Sequence, residues 1–125
     1  MSKERLRKAS ASLKLAMQSE NDYRSCAERL KALADPDRLR IVNLLLSGPK
    51  NVSELASELG AGIVKVSHHL RVLRFADVVQ TKKDGKFVIY SLHPEIAADT
   101  DALGGMKTLD LGCCRLDLLQ PKGTR

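Results

Sequence analysis

Aromatic residues are scarce: two tyrosines, two phenylalanines and no tryptophan in 125 residues. So few rings, scattered along the chain, cannot build the stacking platform that holds unpaired bases, and neither RNA nor single-stranded DNA is an expected partner. Long apolar runs are absent too. Even the run Leu44 to Leu46, taken with Ile41, Val42 and the interrupting Asn43, falls far short of the ~20 residues a membrane span needs, so no membrane partner is expected. The start of the chain is basic (Lys3, Arg5, Arg7, Lys8) but leads into no apolar stretch of signal-peptide length; export is not expected and the cytoplasm is the default location. Three cysteines are an odd number and too few for the disulfide framework of a small secreted domain. They fit a reducing compartment, where thiols stay open to metal or redox chemistry. There is no nucleophile with a spaced base, no paired-carboxylate arrangement and no phosphate-binding glycine loop, so an enzyme is not expected.

What the chain does have is enough apolar content to fold and an excess of positive charge. With 125 residues, 43% of them hydrophobic, it has the size of one small domain and too much apolar surface to stay disordered. Its net charge of +6 is unevenly placed. Residues 1–92 hold 17 basic and 10 acidic side chains, or +7, whereas residues 93–125 hold 4 and 5, or −1. A positive field over the first three quarters points to a polyanion, with a solvated basic surface as the plainer alternative.

In residues 3–18, Leu6, Ala9, Leu13 and Ala16 recur at helical spacing amid five basic residues and one acid. Such a weak stripe is marginal alone in water; it packs on the body or on a partner chain, or frays as a basic arm. Tyr23, Cys26, Leu30 and Leu33 mark the stripe of a second helix. Asp35-Pro36-Asp37 then supplies a capping residue, a proline suited to the first helical position and an acid favoured by the helix dipole. The helix it opens carries Leu39, Ile41, Val42, Leu44, Leu45 and Leu46, apolar nearly all round as at the centre of a small core, and Ser47-Gly48-Pro49 stops it. Asn51 followed by Glu54 predicts a capping box on a short helix with Val52, Leu55, Ala56 and Leu59 inward and Gly60 as its stop.

After the turn Gly60-Ala61-Gly62, Ile63, Val66, Leu70 and Leu73 form the inner stripe of one more helix. Its opposite side carries His68 and Val72, flanked by Ser67 and Arg71, with Lys65 towards the other flank, and His69 lies nearer the apolar stripe as a core-boundary residue. Two short helices joined by a glycine turn make a helix-turn-helix, whose second helix offers its outer face to the major groove. The strand-like runs Val78 to Lys82 and Phe87 to Leu92 flank Lys83-Asp84-Gly85-Lys86, and Asp-Gly is a strong hairpin signal. The fold class is therefore mainly α with a small β-hairpin, a winged helix-turn-helix, with helical dimer contacts and an extra C-terminal strand. Its divisions are residues 1–20, a basic helix or arm; residues 21–96, the winged DNA-binding domain; and residues 97–125, a tail with vicinal cysteines.

The segments Leu33-Ala34-Asp35-Pro36-Asp37-Arg38-Leu39-Arg40-Ile41, Ser53-Glu54-Leu55-Ala56, Val66-Ser67-His68-His69-Leu70-Arg71-Val72-Leu73 and Gly85-Lys86 through Tyr90 resemble the arsenical-resistance repressor family of the ArsR/SmtB type. The resemblance covers about residues 23–96 and implies a homodimeric bacterial repressor that leaves its operator when an inducer binds. It also shows departures. Gly62 stands where these helices often carry a serine cap, and Ile63 and Val64 follow where polar residues are usual. The family's cysteine pair falls on Asn51 and Ser53, and its C-terminal Asp and His fall on Pro94 and Ile96, so neither usual metal site is present. His93, Glu95, Asp99 and Asp101 offer donors of another kind, or simply an acidic helix face over Pro94–Leu103.

On chemistry, Ser67, His68 and Arg71 are the candidates for base edges or phosphate, with Lys65 beside them; Lys82, Lys83 and Lys86 at the hairpin tip are candidates for phosphate, or form a solvated turn. Double-stranded DNA is the expected partner, bound by a homodimer on a palindrome with half-sites about one duplex turn apart. The tail run Leu109 to Leu118 alternates like a strand but slips phase between Cys113 and Cys114, as a bulge would make it. A bond between adjacent cysteines is strained, which leaves a shared soft ligand or pairing with Cys26. Cys113 and Cys114, with Cys26 completing a three-thiolate set, are the candidate site for a thiophilic ion such as arsenite. A thiol redox switch between Cys26 and a tail cysteine is the rival, a buried structural Cys26 and small apolar filling by the pair are the plainer readings, and an inducer-free architectural or protein-interaction module is the alternative of another class.

Overall fold

The computed structural model describes residues 22–97 and 106–119. The basic helix expected over residues 3–18 lies outside them, as do residues 98–103 of the expected Pro94–Leu103 helix.

Helix α1 covers 22–33. The chain then extends at Asp35 (φ −156°), whose carboxylate accepts from the Arg38 backbone N–H at 3.1 Å, and Pro36 opens α2, Pro36–Leu45. One donor of the first turn is thus satisfied by the cap, and proline's missing N–H costs nothing where no acceptor exists. A two-residue strand β1, Lys50–Asn51, leads into α3, Val52–Leu59. The predicted capping box is complete: Glu54 N donates to Asn51 Oδ1 at 2.8 Å and Asn51 N to Glu54 Oε1 at 2.9 Å. Gly60, at φ +64°, closes α3 in the left-handed conformation that only glycine adopts cheaply. Helix α4 is Ile63–Phe75, followed by β2, Val79–Asp84, and β3, Phe87–Leu92. The sheet order is β1-β3-β2, all antiparallel, with Val79 opposite Leu92 at the base and Asp84 opposite Phe87 at the tip. This is a winged helix-turn-helix, as the hydrophobic spacing predicts.

One apolar cluster holds these elements together. Ile41, Val42 and Leu45 of α2 meet Leu55 and Ala56 of α3 and Val66, Leu70 and Leu73 of α4, all buried. Each contributes on the order of 1.5–3 kcal/mol by leaving water, alanine less. The same cluster takes in Cys26 and Leu33 from α1, Val78, Val79 and Leu92 from the base of the wing, and Ile96, Leu109 and Leu111 from beyond it.

Several expectations are corrected. Residues 94–97 are not helical: they form a turn that buries Ile96 and ends in a bridge between Ala97 and Leu109, because Ile96 and Ala97 both donate to the His93 carbonyl and Asp110 N donates to the Ile96 carbonyl at 2.8 Å. In place of one bulged C-terminal strand there are two, β4 (Met106–Asp110) and β5 (Arg115–Leu119), paired antiparallel with Leu109 opposite Leu116. The slipped alternation at Cys113-Cys114 therefore records a reversal of direction, with Leu111 N donating to the Cys114 carbonyl at 2.9 Å and Gly112 at φ +102°. The wing's turn is tighter than the four residues expected: Asp84 already pairs with Phe87, leaving Gly85-Lys86 as the loop, and Gly85 at φ +63° takes the first loop position, where a type II′ turn needs glycine. Strand β1 is not foreshadowed by the sequence, since two residues carry no alternation. Of the α1 stripe, Cys26 and Leu33 are buried, but Tyr23 is 65% and Leu30 41% exposed; of the α4 stripe, Ile63 is 55% exposed.

Candidate nucleic-acid interface and thiol cluster

The two faces of α4 divide as the spacing predicts except at two positions: Val72, expected on the outer side, is half-buried against the core, and Ile63, expected inward, is exposed. Val66, His69, Leu70 and Leu73 point into the protein, while Val64, His68 and Arg71 are exposed and Ser67 is half-buried. Positions 64, 67 or 68, and 71 lie at i, i+3 or i+4, and i+7, so they share one outward stripe. Lys65 is also exposed, but its Nζ lies 3.2 Å from the Asp37 carboxylate. Such an exposed pair is worth little and leaves the ammonium free to move to a phosphate. Lys82, Lys83 and Lys86 stand exposed on the distal half of the wing, and Lys86 Nζ sits 5.9 Å above the Phe87 ring. The structure thus brings Ser67, His68 and Arg71 together on one helix face and sets the three wing lysines on a separate projection.

Behind the helix, His69 is held in a polar junction that the sequence shows only as a core-boundary position. Arg38 Nη1 lies 3.2 Å from His69 Nδ1, and Arg38 Nε donates to the Ala32 carbonyl. Arginine offers only donors, so Nδ1 accepts and the proton of the neutral ring sits on Nε2. Nε2 is buried with no hydrogen-bond partner, 3.6 Å from Asp37 Oδ2. Asp35, Asp37 and His69 have donor atoms within 4.8 Å of one another. They do not suit a metal ion, because a ligating imidazole needs its proton on the nitrogen that Arg38 occupies as donor. The junction instead fixes α4 against the start of α2. The Arg38 N–H, helped by the Arg38 charge and partly opposed by desolvation, holds the Asp35 carboxyl below its ordinary 3.8.

The three cysteines converge. Cys26 and Cys113, 87 positions apart in sequence, form a disulfide with Cα atoms 5.8 Å apart, and the free Cys114 places its sulfur 3.6 Å from that of Cys26. All three sulfurs lie within 4.8 Å of one another. Cys26 is fully buried on α1, whereas Cys113 and Cys114 are exposed in the β4–β5 turn. Arg29, one turn after Cys26 and only 8% exposed, fastens that turn: Nη1 donates to the Leu111 carbonyl at 3.3 Å and Nη2 pairs with Glu95 at 3.2 Å. Sequence patterning does not single out Arg29, since a lone arginine on a helix gives no sign of what it reaches. Of the other suggested donors, Glu95 is engaged by Arg29 and His93 Nδ1 accepts from the Glu95 N–H at 3.3 Å, while Asp99 and Asp101 lie outside the described residues.

Residues 35–81, from the α2 cap to the second residue past the start of β2, match the model of the bacterial regulatory proteins of the arsR family. An uncharacterized HTH-type transcriptional regulator of Mycobacterium tuberculosis is 43% identical over 83 residues, covering 65% of this chain and 73% of that one. The chain belongs to the ArsR family. Other members share the same core: the transcriptional repressor SdpR of Bacillus subtilis is 33% identical over 70 residues, 56% of this chain and 78% of that one. Among solved structures, the homodimeric winged helix-turn-helix DNA-binding domain of Mycobacterium bovis Mb0332 superposes with a TM-score of 0.59 at 27% identity, covering 62% of this chain and 72% of that one. As an ArsR-family chain this is a DNA-binding transcriptional regulator, and among its described residues no helix is long and apolar enough to cross a membrane.

Proposed function

We propose that this ArsR-family regulator is a homodimeric repressor on a palindromic operator, released when a thiophilic ion such as arsenite binds Cys26, Cys113 and Cys114. The observation that carries the sensing half is the convergence of three sulfurs within 4.8 Å from segments 87 residues apart. Three thiolates are a soft donor set, and the 3.6 Å between the Cys26 and Cys114 sulfurs is close to the roughly 3.8 Å edge of a tetrahedral site with ~2.3 Å metal–sulfur bonds. With the disulfide reduced, arsenous acid condenses with three thiols to give one arsenic trithiolate and three waters. Ser67, His68 and Arg71 take base edges or phosphates in the major groove, Lys65 exchanges Asp37 for phosphate, and Lys82, Lys83 and Lys86 meet the backbone beside the groove. Residues 1–20 serve as a basic helix or arm, 21–96 as the DNA-binding domain and 97–125 as the sensing tail; exposed Tyr23 and Leu30 on α1 favour a second copy as their cover.

A second reading, oxidation as the signal, is favoured by the Cys26–Cys113 disulfide itself. An oxidant or sulfane sulfur accepts the two electrons, and the thiol pair closes. One titration tests both. Fluorescence anisotropy of the reduced protein on duplex from its own upstream region, against random duplex, reads preference; arsenite, then oxidant, is added to the bound sample. Reversal by arsenite that Cys113→Ser removes supports the ion, reversal by oxidant alone supports the disulfide, and no preference between duplexes overturns the repressor in favour of an architectural module.

A further inference from the structure

The first turn of α4 carries a feature that neither charge nor core packing explains. Val64 is 85% exposed and Ile63 55%, and neither belongs to the apolar cluster or packs against it. Val64 heads the outward stripe that continues through Ser67, His68 and Arg71. In a helix-turn-helix the N-terminal residues of the second helix come closest to the base edges. The only apolar group that the major groove displays is the thymine C5-methyl.

We propose that Val64, with Ile63 beside it, reads thymine methyl groups at the operator, so that sequence preference at these positions comes from apolar contact and not from hydrogen bonding. This rests on α4 being the helix that enters the groove. The local backbone suits such a contact. Gly62 caps α4 with no side-chain hydrogen bond, so no polar cap side chain stands beside the two aliphatic groups. A branched side chain is stiff at χ1, so Val64 loses little freedom on docking. A polar residue would have to find a base-edge donor or acceptor; valine offers none, and against a groove position with only polar atoms it would strip those atoms of water without replacing their hydrogen bonds.

The test uses the full-length reduced protein and duplexes that it selects from a random library. Each thymine of the selected site is replaced in turn by deoxyuridine, which removes only the methyl. The expected result is about a four-fold weaker Kd at one or two positions per half-site and none elsewhere, since a buried methyl is worth about that factor. In Val64→Ser the thymine and uracil duplexes should bind alike at one of those positions, and in Ile63→Thr the sensitivity should weaken at its neighbour. Because Val64 touches no core residue, Val64→Ser should keep the wild-type Tm and sedimentation. Equal binding of the wild type to both duplexes overturns the proposal, as does undiminished uracil sensitivity in Val64→Ser, which would place the methyl's effect in DNA shape. Loss of the dimer in Val64→Ser would overturn it by assigning Val64 to a contact between copies. Failure to select any duplex overturns the DNA-reading role of α4 itself, a distinct outcome.

Discussion

The two hairpins of this chain are both antiparallel pairs, yet they are held in different ways. The wing, β2–β3, is buried only at its base, where Val79 and Leu92 join the core; its distal half, Lys82 to Val88, is exposed. The second hairpin, β4–β5, buries Leu109 and Thr108 in mid-strand, ties Lys107 Nζ to the Leu46 carbonyl at the end of α2 at 3.3 Å, and is held at its turn by Arg29 and the disulfide. A hairpin with a free tip can project basic side chains without cost to the fold. One anchored along its length passes any change at its turn into the core. The wing thus leaves its lysines free of the fold, whereas the second hairpin ties its cysteines to the core.

The strongest break of that contrast is reduction of Cys26–Cys113. Opening a cross-link over a sequence separation of 87 should lower stability by about 4–5 kcal/mol on the chain-entropy account, seen as a fall in the urea midpoint that Cys113→Ser reproduces without reductant. Next, Leu109→Ala should cost about 2–5 kcal/mol in the reduced protein, whereas Val88→Ala on the wing should stay within about 0.5 kcal/mol; similar costs for the two would erase the distinction. Replacing Lys82, Lys83 and Lys86 by alanine should leave the unfolding midpoint unchanged while making the salt dependence of DNA binding shallower, by up to about 0.9 in slope for each phosphate no longer neutralised.

The smallest effect concerns Asp35. Its folded-state pKa lies below the ordinary value, so its ionised form adds stability that is complete above the unfolded value, about pH 4, and is lost as pH falls through the folded one. Asp35→Asn keeps an oxygen for the Arg38 N–H and should flatten the stability–pH curve below about pH 4 while leaving it nearly unchanged in shape above about pH 6. An unaltered acid limb would mean that Asp35 carries none of the acid sensitivity.

Legibility in the sequence followed the range of the interactions. The caps at Asp35 and Asn51, the glycine stop at Gly60 and the buried stripe Val66, Leu70 and Leu73 rest on neighbours within one or two turns, and each stands where spacing predicts. Contacts between distant segments were another matter. Nothing local to Ile96 says that it will be fully buried, nothing local to Arg29 says that it will meet Leu111, and alternation alone did not separate a bulge from a reversal at Gly112-Cys113. Tyr23 and Leu30 sit at apolar positions of a helix, yet periodicity does not tell which partner covers them. For the thiols, the sequence supplied the three residues and the pairing of Cys26 with the tail as one option; their meeting within 4.8 Å depends on β4–β5 docking against α1.

The clamp that Arg29 and Cys26 make with the far hairpin also sets an order on synthesis. Leu109 and Leu111 belong to the same core as Cys26, yet they leave the ribosome some eighty residues later. At about 5–20 residues per second, that is an interval of roughly 4–17 s. The helix-turn-helix and wing are translated within it, and when they are complete their core still lacks its last side chains. Cys26 spends that interval as a thiol, because the partner of its disulfide is made only near the end of the chain.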